Sequence, residues 1–277
     1  MAKQRKARND GDTAVIDAVM DAVTNDVTPT GSCDDASRPQ RARRVAPNPG
    51  DPFNEVESVI IERRSVRVYR DKPVPEYLVK RILEAGRYAP TAGNCQSWKF
   101  VVVQDPQLIA EMAEHVKKMA VYVARYMFNP GAPGSRVPEW MVRVMSRTFT
   151  SLYHPTGRTG LSKVADGTLD VWHGASTVIF LLVDERGTSD PHLDVGICGT
   201  NMVLTAHSFG LGTCWVSFST LLSIHPRFRK LLGISYPFRL ATSIAVGYPR
   251  GIPDGEVPRE THETVWYKAD GTRDTFY

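Results

Sequence analysis

Two polar segments of the chain carry side chains that could bind a flat, polar and anionic ligand. Residues 89–97 read Ala-Pro-Thr-Ala-Gly-Asn-Cys-Gln-Ser and hold two side-chain amides, Asn94 and Gln96. Amides offer both hydrogen-bond donors and acceptors, which suits a ring edge that carries both kinds of group. The alternative interpretation is that the two amides only satisfy the backbone of their own turn.

The second segment is the run Arg-Arg-Ser-Val-Arg at residues 63–67. Guanidinium groups beside a hydroxyl offer forked donors that suit a phosphate, and each charge-assisted hydrogen bond contributes about 1.5–3 kcal/mol. The alternative is that these arginines form an exposed, solvated helix end. Their position at a boundary between helix and turn favours an anion site.

Regular elements are predicted on both sides of these segments. Val56 and Ile60 give an apolar helical face that runs into the arginines, and residues 75–88 repeat the pattern. Residues 89–97 contain Pro and Gly, so they are predicted to be an irregular loop that enters a buried strand at residues 99–103.

Further elements are predicted along the rest of the chain. Residues 177–183 are apolar on both faces, as the central strand of a covered sheet would be. A helix capped by Asp194 and stopped by Gly210 is predicted next. The remaining predicted elements are a strand over residues 212–216, a helix over 221–232, a strand over 240–246 and an extended tail over 258–267.

Composition predicts the domain organisation. Residues 28–52 are rich in Pro, Ser, Asp and Arg and have almost no large apolar side chains. Residues 1–52 are therefore predicted to be a flexible extension, with a short helix over residues 14–24. Residues 53–277 are predicted to form one domain. The long connection over residues 105–170 is predicted to be a lid or pocket wall.

Charge and composition argue against several classes of function. The 34 Lys and Arg are nearly matched by 30 Asp and Glu, so the chain lacks the concentrated basic footprint that nucleic-acid binding needs. No stretch approaches the roughly 18 consecutive apolar residues of a membrane span. The four cysteines form no CxxC pair, which gives no support to a metal site or a disulfide framework and favours a reducing cytoplasm.

Four blocks of sequence, taken in order, resemble the FMN-dependent nitroreductase superfamily. They are residues 63–67, residues 89–98, Gly-Leu-Gly-Thr-Cys-Trp at residues 210–215, and Ala-Val-Gly-Tyr-Pro at residues 245–249 with Pro-Arg at residues 258–259. The resemblance implies an α+β fold, a three-layer sandwich in which a mixed, mostly antiparallel sheet is flanked by helices. It also implies an intertwined homodimer with two FMN sites at the interface.

The resemblance also implies which residues contact FMN. Arg63 and Ser65 would hold the phosphate and ribityl chain, Arg259 would close on the phosphate, and Arg67 would face the pyrimidine side of the ring. The loop of residues 89–97 would reach the isoalloxazine, partly from the other subunit, and the backbone of residues 215–217 would approach flavin N5. The implied cofactor-binding residues are Arg63, Arg64, Ser65, Arg67, Pro90, Thr91, Asn94, Gln96, Trp215, Val216, Ser217 and Arg259.

The implied activity is that of an FMN-dependent oxidoreductase. NAD(P)H would reduce an electron-poor small molecule, such as a nitroaromatic or a quinone, in two half-reactions whose chemistry lies at flavin N5, so no catalytic side chain is predicted. Candidate substrate contacts, which could equally be a plain helical surface, are Tyr122, Tyr126, Trp140 and Tyr153. The same fold could instead act as an ene-reductase, a reductive dehalogenase, a flavin-fragmenting enzyme or a non-catalytic flavin-binding interaction protein.

Overall fold

A four-stranded antiparallel sheet forms the middle layer of the protein. The computed structural model describes residues 50–127, 140, 155–251, 259–260 and 262–276, and residues 53–277 form one unit. The sheet contains β1 (Trp98–Val103), β2 (Thr177–Asp184), β3 (Gly212–Val216) and β4 (Phe238–Gly247), in the order β1-β2-β4-β3. Apart from residues 50–52, the predicted extension over residues 1–52 and its helix over 14–24 lie outside the described residues.

The strand β2 lies at the centre of the sheet and is covered on both faces, as its sequence predicts. Side chains of β2 point alternately into two apolar clusters, one on each face of the sheet, because successive residues of a strand point to opposite faces. Val178, Phe180 and Leu182 belong to the first cluster. Ile179, Leu181 and Val183 belong to the second. Full burial of each such side chain contributes about 1.5–3 kcal/mol, so β2 anchors both halves of the core.

Helices cover both faces of the sheet and complete three layers. The helices are α1 (Glu55–Glu62), α2 (Glu76–Arg87), α3 (Pro106–Tyr122), α4 (Pro155–Ala165), α5 (Pro191–Ser208) and α6 (Pro226–Leu232). Side chains of α2 and α5 belong to the second cluster, whereas those of α3, α4 and α6 belong to the first. The predicted α+β sandwich with a mostly antiparallel sheet is therefore confirmed.

Two predicted helices differ from those observed. The N-cap of α5 is Asp190, whose Oδ1 accepts hydrogen bonds from the N–H groups of His192 and Leu193, and Asp194 is a buried residue within the helix. Pro at the first helical position was the sequence signal for the earlier start. The predicted helix over residues 221–232 is divided into a 3-10 helix, Ser217–Ile224, and α6, because Pro226 disfavours a helical conformation at His225.

Two elements leave apolar side chains exposed. The strands β5 (Thr264–Tyr267) and β6 (Arg273–Phe276) form a separate antiparallel pair, with Trp266 and Tyr267 largely in solvent. The helix α1 has no buried residue, and Val56 and Ile60 on it are more than half exposed. These two elements therefore leave apolar surface exposed to solvent within the described residues of one chain.

Among the described helices, none is both long enough and apolar enough to cross a membrane.

Candidate functional site

The arginine-rich segment of residues 63–67 lies along the outer edge of β3. Ser65 forms a parallel bridge with Thr213, and the Val66 N–H donates to the Thr213 oxygen at 2.9 Å. The other edge of β3 pairs with β4, so the segment occupies the free edge of the sheet. Val66 is buried against Gly212, where a Cβ atom would lie 2.7 Å from the Val66 Cβ. Glycine at this position therefore permits the close approach.

Arg64 interacts with its own helix end. Its guanidinium donates to the main-chain oxygens of Ile61 and Arg63 and so supplies donors for carbonyls that the last turn of α1 leaves unpaired. The observed hydrogen bonds of Arg64 thus stabilise the start of the arginine-rich segment.

Arg63 and Arg259 come together although they are far apart in sequence. The pKa of Arg63 lies below its usual value, first because of partial burial and then because of the positive charges of Arg259 and Arg64. Among the described residues, no ion pair includes Arg63, Arg67 or Arg259. Like charges that converge without an ion-paired carboxylate among the described residues form a site suited to an anion.

Arg67 lies beside two residues that the sequence did not single out as site residues. Burial raises the pKa of the Cys214 thiol, and the charges of Arg67 and Arg63 oppose that shift. The pKa of His173 is lowered by burial and then by Arg67. His173 has φ +59° in a turn that the Asp170 carboxylate holds, because Oδ2 accepts the N–H groups of Trp172 and Gly174.

Residues 215–217 continue from the same strand. The Trp215 ring packs against Gly199 of α5, on the face of the sheet opposite Cys214, so its side chain is directed away from Arg67. Val216 is buried and Ser217 is exposed. We call the set formed by Arg63, Ser65, Arg67, residues 215–217 and Arg259 the β3-edge site.

A cavity of about 490 Å³ adjoins the Arg63 end of the β3-edge site. It lies between the end of α1, the last turn of α5 and the start of β3, and Glu62, Arg64 and His207 line it. Burial lowers the pKa of His207; Glu62 opposes this shift, and the nearby arginines add to it. Charges of both signs, from Glu62 and from the arginines, therefore act on the end of α5 at His207.

The loop of residues 89–97 holds the two predicted amides in a short 3-10 turn, Ala92–Asn94. The Gln96 side chain donates to the Asn94 Oδ1 at 3.2 Å, and the Gln96 N–H donates to the Thr91 hydroxyl at 3.2 Å. Asn94 and Gln96 have φ values of 52° and 49°. These bonds agree with the turn interpretation, yet both amides remain exposed and retain free hydrogen-bonding capacity.

The loop lies far from the β3-edge site of the same chain. It precedes β1, at one edge of the sheet, whereas Ser65 lies beyond β3 at the other edge. Through its partner on β2, Trp98 is aligned with Arg239 of β4. Thr213 of β3 is paired with Val246 of β4, seven residues from Arg239. With about 3.3 Å per residue and 4.8 Å per strand, the separation is about 30 Å. One chain does not bring the two predicted halves together.

Two of the four predicted substrate contacts are exposed, and the side chains of the other two lie outside the described residues. Tyr122 is exposed at the end of α3, before a π-type turn over Val123–Met127, and Trp140 is exposed. Tyr153 and the side chain of Tyr126 lie outside the described residues.

Comparison with known proteins identifies the relatives of the chain. A family model described as the Nitroreductase family matches residues 60–248. The chain is 26% identical over 230 residues to a protein named NADH dehydrogenase from Thermus thermophilus, which covers 76% of this chain and 95% of that protein. It is 26% identical over 204 residues to a 4-nitrobenzoate reductase from a Nocardioides species, covering 69% and 79%.

The fold is similar to that of solved structures. A nitroreductase with bound FMN from Desulfitobacterium hafniense superimposes with a TM-score of 0.54 at 23% identity, over 75% of this chain and 96% of that one. This similarity supports the three-layer fold.

Proposed function

The chain belongs to the nitroreductase family, and on this premise we propose that it is an FMN-dependent oxidoreductase in which NAD(P)H reduces an electron-poor small molecule. The family match spans the arginine-rich residues that follow α1, the loop of residues 89–97, all four strands of the sheet and α5. When bound, FMN would supply the hydride chemistry, and the protein would supply binding and electrostatics.

The convergence of Arg63 and Arg259 is the observation that carries the proposal. A phosphate would relieve the repulsion between the two guanidiniums and accept forked hydrogen bonds from both. Arg67, farther along the segment, would favour negative charge at the pyrimidine end of the ring. The residues present therefore fit the phosphate of a flavin mononucleotide and the pyrimidine end of its ring, which gains negative charge on reduction.

Replacement of Arg259 tests this assignment. Loss of one charge-assisted hydrogen bond, about 1.5–3 kcal/mol, should weaken FMN binding by about 10- to 150-fold in Arg259→Gln. Arg250→Gln is the matched control, because Arg250 is another exposed arginine near the end of β4. Affinity is measured by titrating apoprotein and following flavin fluorescence. Equal FMN affinities of the two variants would contradict the assignment.

We further propose that each FMN site is completed by a second copy of the chain. The separation of about 30 Å between the loop of residues 89–97 and the β3-edge site supports this, because one flavin cannot span it. The exposed apolar side chains of α1 and of the β5–β6 hairpin support a homodimer as well, because such surfaces usually mark an interface. Asn94 and Gln96, with Pro90 and Thr91, would then contact the ring bound by the other subunit.

Mixed dimers test the shared site. Arg259→Gln and Gln96→Ala chains are co-expressed with different tags, and the dimers that carry both tags are purified. If each site takes Arg259 from one chain and Gln96 from the other, one of the two sites in a mixed dimer is intact. About half of the wild-type FMN stoichiometry should then be recovered at wild-type affinity. Two weakened sites, neither with wild-type affinity, would show that each chain builds its site alone.

Nitroaromatics are the acceptors we propose to test first, with NADH as the donor. Similarity to proteins named 4-nitrobenzoate reductase and NADH dehydrogenase supports this choice. Tyr122 and Trp140 remain proposed substrate contacts. Anaerobic turnover of FMN-loaded protein is compared for nitroarenes, quinones, enones and halophenols, with NADH and NADPH in parallel. Turnover confined to halophenols or enones would favour dehalogenation or alkene reduction instead.

A further inference from the structure

A buried polar network converges on the main-chain oxygen of Val216. This oxygen accepts hydrogen bonds from the Ser219 hydroxyl at 2.8 Å and from the Ser243 hydroxyl at 3.1 Å. Ser243 in turn accepts a hydrogen bond from the indole N–H of Trp172 at 3.1 Å. Ser219 and Ser243 are 0% exposed and Trp172 is 1% exposed, so water does not compete for these groups.

The chemistry of the donors gives the network one direction. An indole N–H can only donate, so Ser243 must use an acceptor lone pair toward Trp172. A serine hydroxyl has a single proton, which is then directed at the Val216 oxygen. The bond from Ser219 is local, three residues along the chain, whereas the bond from Ser243 ties the same oxygen to β4. The Val216 carbonyl is thereby held from two sides.

The register of β3 determines where the next N–H points. The Thr213 oxygen is directed to the outer edge of the sheet, where it accepts from Val66. Peptide groups alternate between the two edges along a strand, so residue 216 faces β4 and residue 217 faces outward again. A trans peptide directs its C=O and N–H in opposite directions. The Ser217 N–H therefore points toward the edge where Arg63 and Arg67 lie.

Within the part of the chain that the structure describes, the Ser217 N–H has no assigned main-chain acceptor. Ser217 is the first residue of a 3-10 helix, and the first N–H groups of a helix have no partner within it. Among the described residues, no main-chain hydrogen bond outside the helices and strands uses this N–H. It is an available donor at the β3-edge site.

We propose that Trp172, Ser243 and Ser219 are positioning residues, which hold the Val216–Ser217 peptide so that the Ser217 N–H donates a hydrogen bond to the bound cofactor ring. The inference rests on the proposed function. It assigns a role to three buried residues that are not members of the β3-edge site. It also explains why polar groups are retained in the apolar first cluster, where an unpaired one costs about 1–3 kcal/mol.

Ser243→Ala and Ser243→Thr test the proposal, with Thr177→Val as the matched control. Thr177 is also a 0% exposed hydroxyl that accepts a side-chain N–H, from Gln104, but it lies on β2 and faces away from the first cluster. Ser243→Ala should weaken FMN binding by about two- to tenfold, the value of one hydrogen bond, and should shift the visible absorption band of the bound flavin. Ser243→Thr, which keeps the hydroxyl, should restore both properties. Thr177→Val should lower the Tm and leave both unchanged.

A double-mutant cycle with Trp172→Phe supplies the second test. If Trp172 acts through Ser243, the double variant should bind FMN as Ser243→Ala does, and the two single effects should not add. If wild-type protein binds FMN and Ser243→Ala changes only the Tm, as Thr177→Val does, the network is merely structural and the proposal is overturned. If wild-type protein binds no FMN, the proposed function itself fails and this inference fails with it.

Discussion

Replacement of Gly212 by Ala should damage both the stability of the fold and the affinity for FMN. Gly212 begins β3 at the point where the arginine-rich segment crosses its edge. An added Cβ atom would lie 2.7 Å from the Cβ and Cγ2 of Val66 and 2.9 Å from its Cγ1. Carbon atoms in contact are about 3.5–4.0 Å apart, so the segment must retreat by about 1 Å.

The size of the effect follows from the stiffness of the contact. The added Cβ atom would contact three atoms of Val66 at once. Because Val66 is β-branched, a change of its rotamer does not relieve this overlap. Overpacking of this kind costs about 1–3 kcal/mol. In a domain of this size each kcal/mol lowers the Tm by about 2–4 °C, so a fall of about 2–12 °C is expected. A displaced arginine segment should also weaken FMN binding by about tenfold, the lower limit of the value of one charge-assisted hydrogen bond.

Two other Gly→Ala variants serve as controls in thermal denaturation and FMN titration. Gly196→Ala adds a Cβ with no atom within 4 Å, in the middle of α5, and should stabilise the protein by up to about 1 kcal/mol. Gly86→Ala meets the side chain of Met202 between α2 and α5 and should lower the Tm through this contact alone.

The comparison can refute the reasoning in two ways. A Gly212→Ala protein with wild-type Tm would mean that the arginine-rich segment is not held in close contact with β3. A lower Tm with unchanged FMN affinity would mean that the segment does not position the phosphate site.

Two predictions concern stability alone. Burial, and then the neighbouring His225, lowers the pKa of His115, so the unfolded chain binds that proton more tightly. The stability that neutral His115 contributes to the folded state is complete above about pH 6.5 and is lost as the pH falls from there toward the lowered pKa. The urea midpoint should therefore fall between about pH 7.5 and 5.5, and His115→Phe should reduce this fall. Equal drops in both proteins would disprove this origin. Removal of the α5 cap in Asp190→Ala should cost about 1 kcal/mol in urea denaturation, whereas Asp190→Asn should retain stability; equal losses in the two variants would argue against capping.

Local features of the fold were predictable because they depend on near neighbours in the chain. The strand over residues 212–216 was predicted with its observed bounds, and the apolar run of β2 predicted its central place. The errors were also local. Asp190 and Asp194 are both able to cap a helix, and only the proline after Asp190 distinguishes them. The break at Pro226 was likewise marked in the sequence, although helical periodicity continued across it.

The β3-edge site was predictable only in part. The residue types at 63–67 indicated an anion site without reference to any other part of the chain. The proximity of His173 and Cys214 to Arg67 had no such signal. The Asp-x-Trp-His-Gly run around His173 predicts a turn, and what that turn faces depends on the packing of distant elements.

By itself, the sequence predicted most of the elements and two polar segments with side chains suited to ligand binding, because periodicity, turn residues and side-chain chemistry are properties of short stretches. The sandwich class followed from the resemblance of four sequence blocks to a known family. The proximity of Arg259 to Arg63 was implied by the resemblance and not by any local pattern, and only the tertiary structure decided that the Val216 carbonyl is held from β4. It also decided that the amide loop lies at the opposite edge of the sheet. These facts depend on strand order and register, which bring together or separate residues regardless of their distance along the chain.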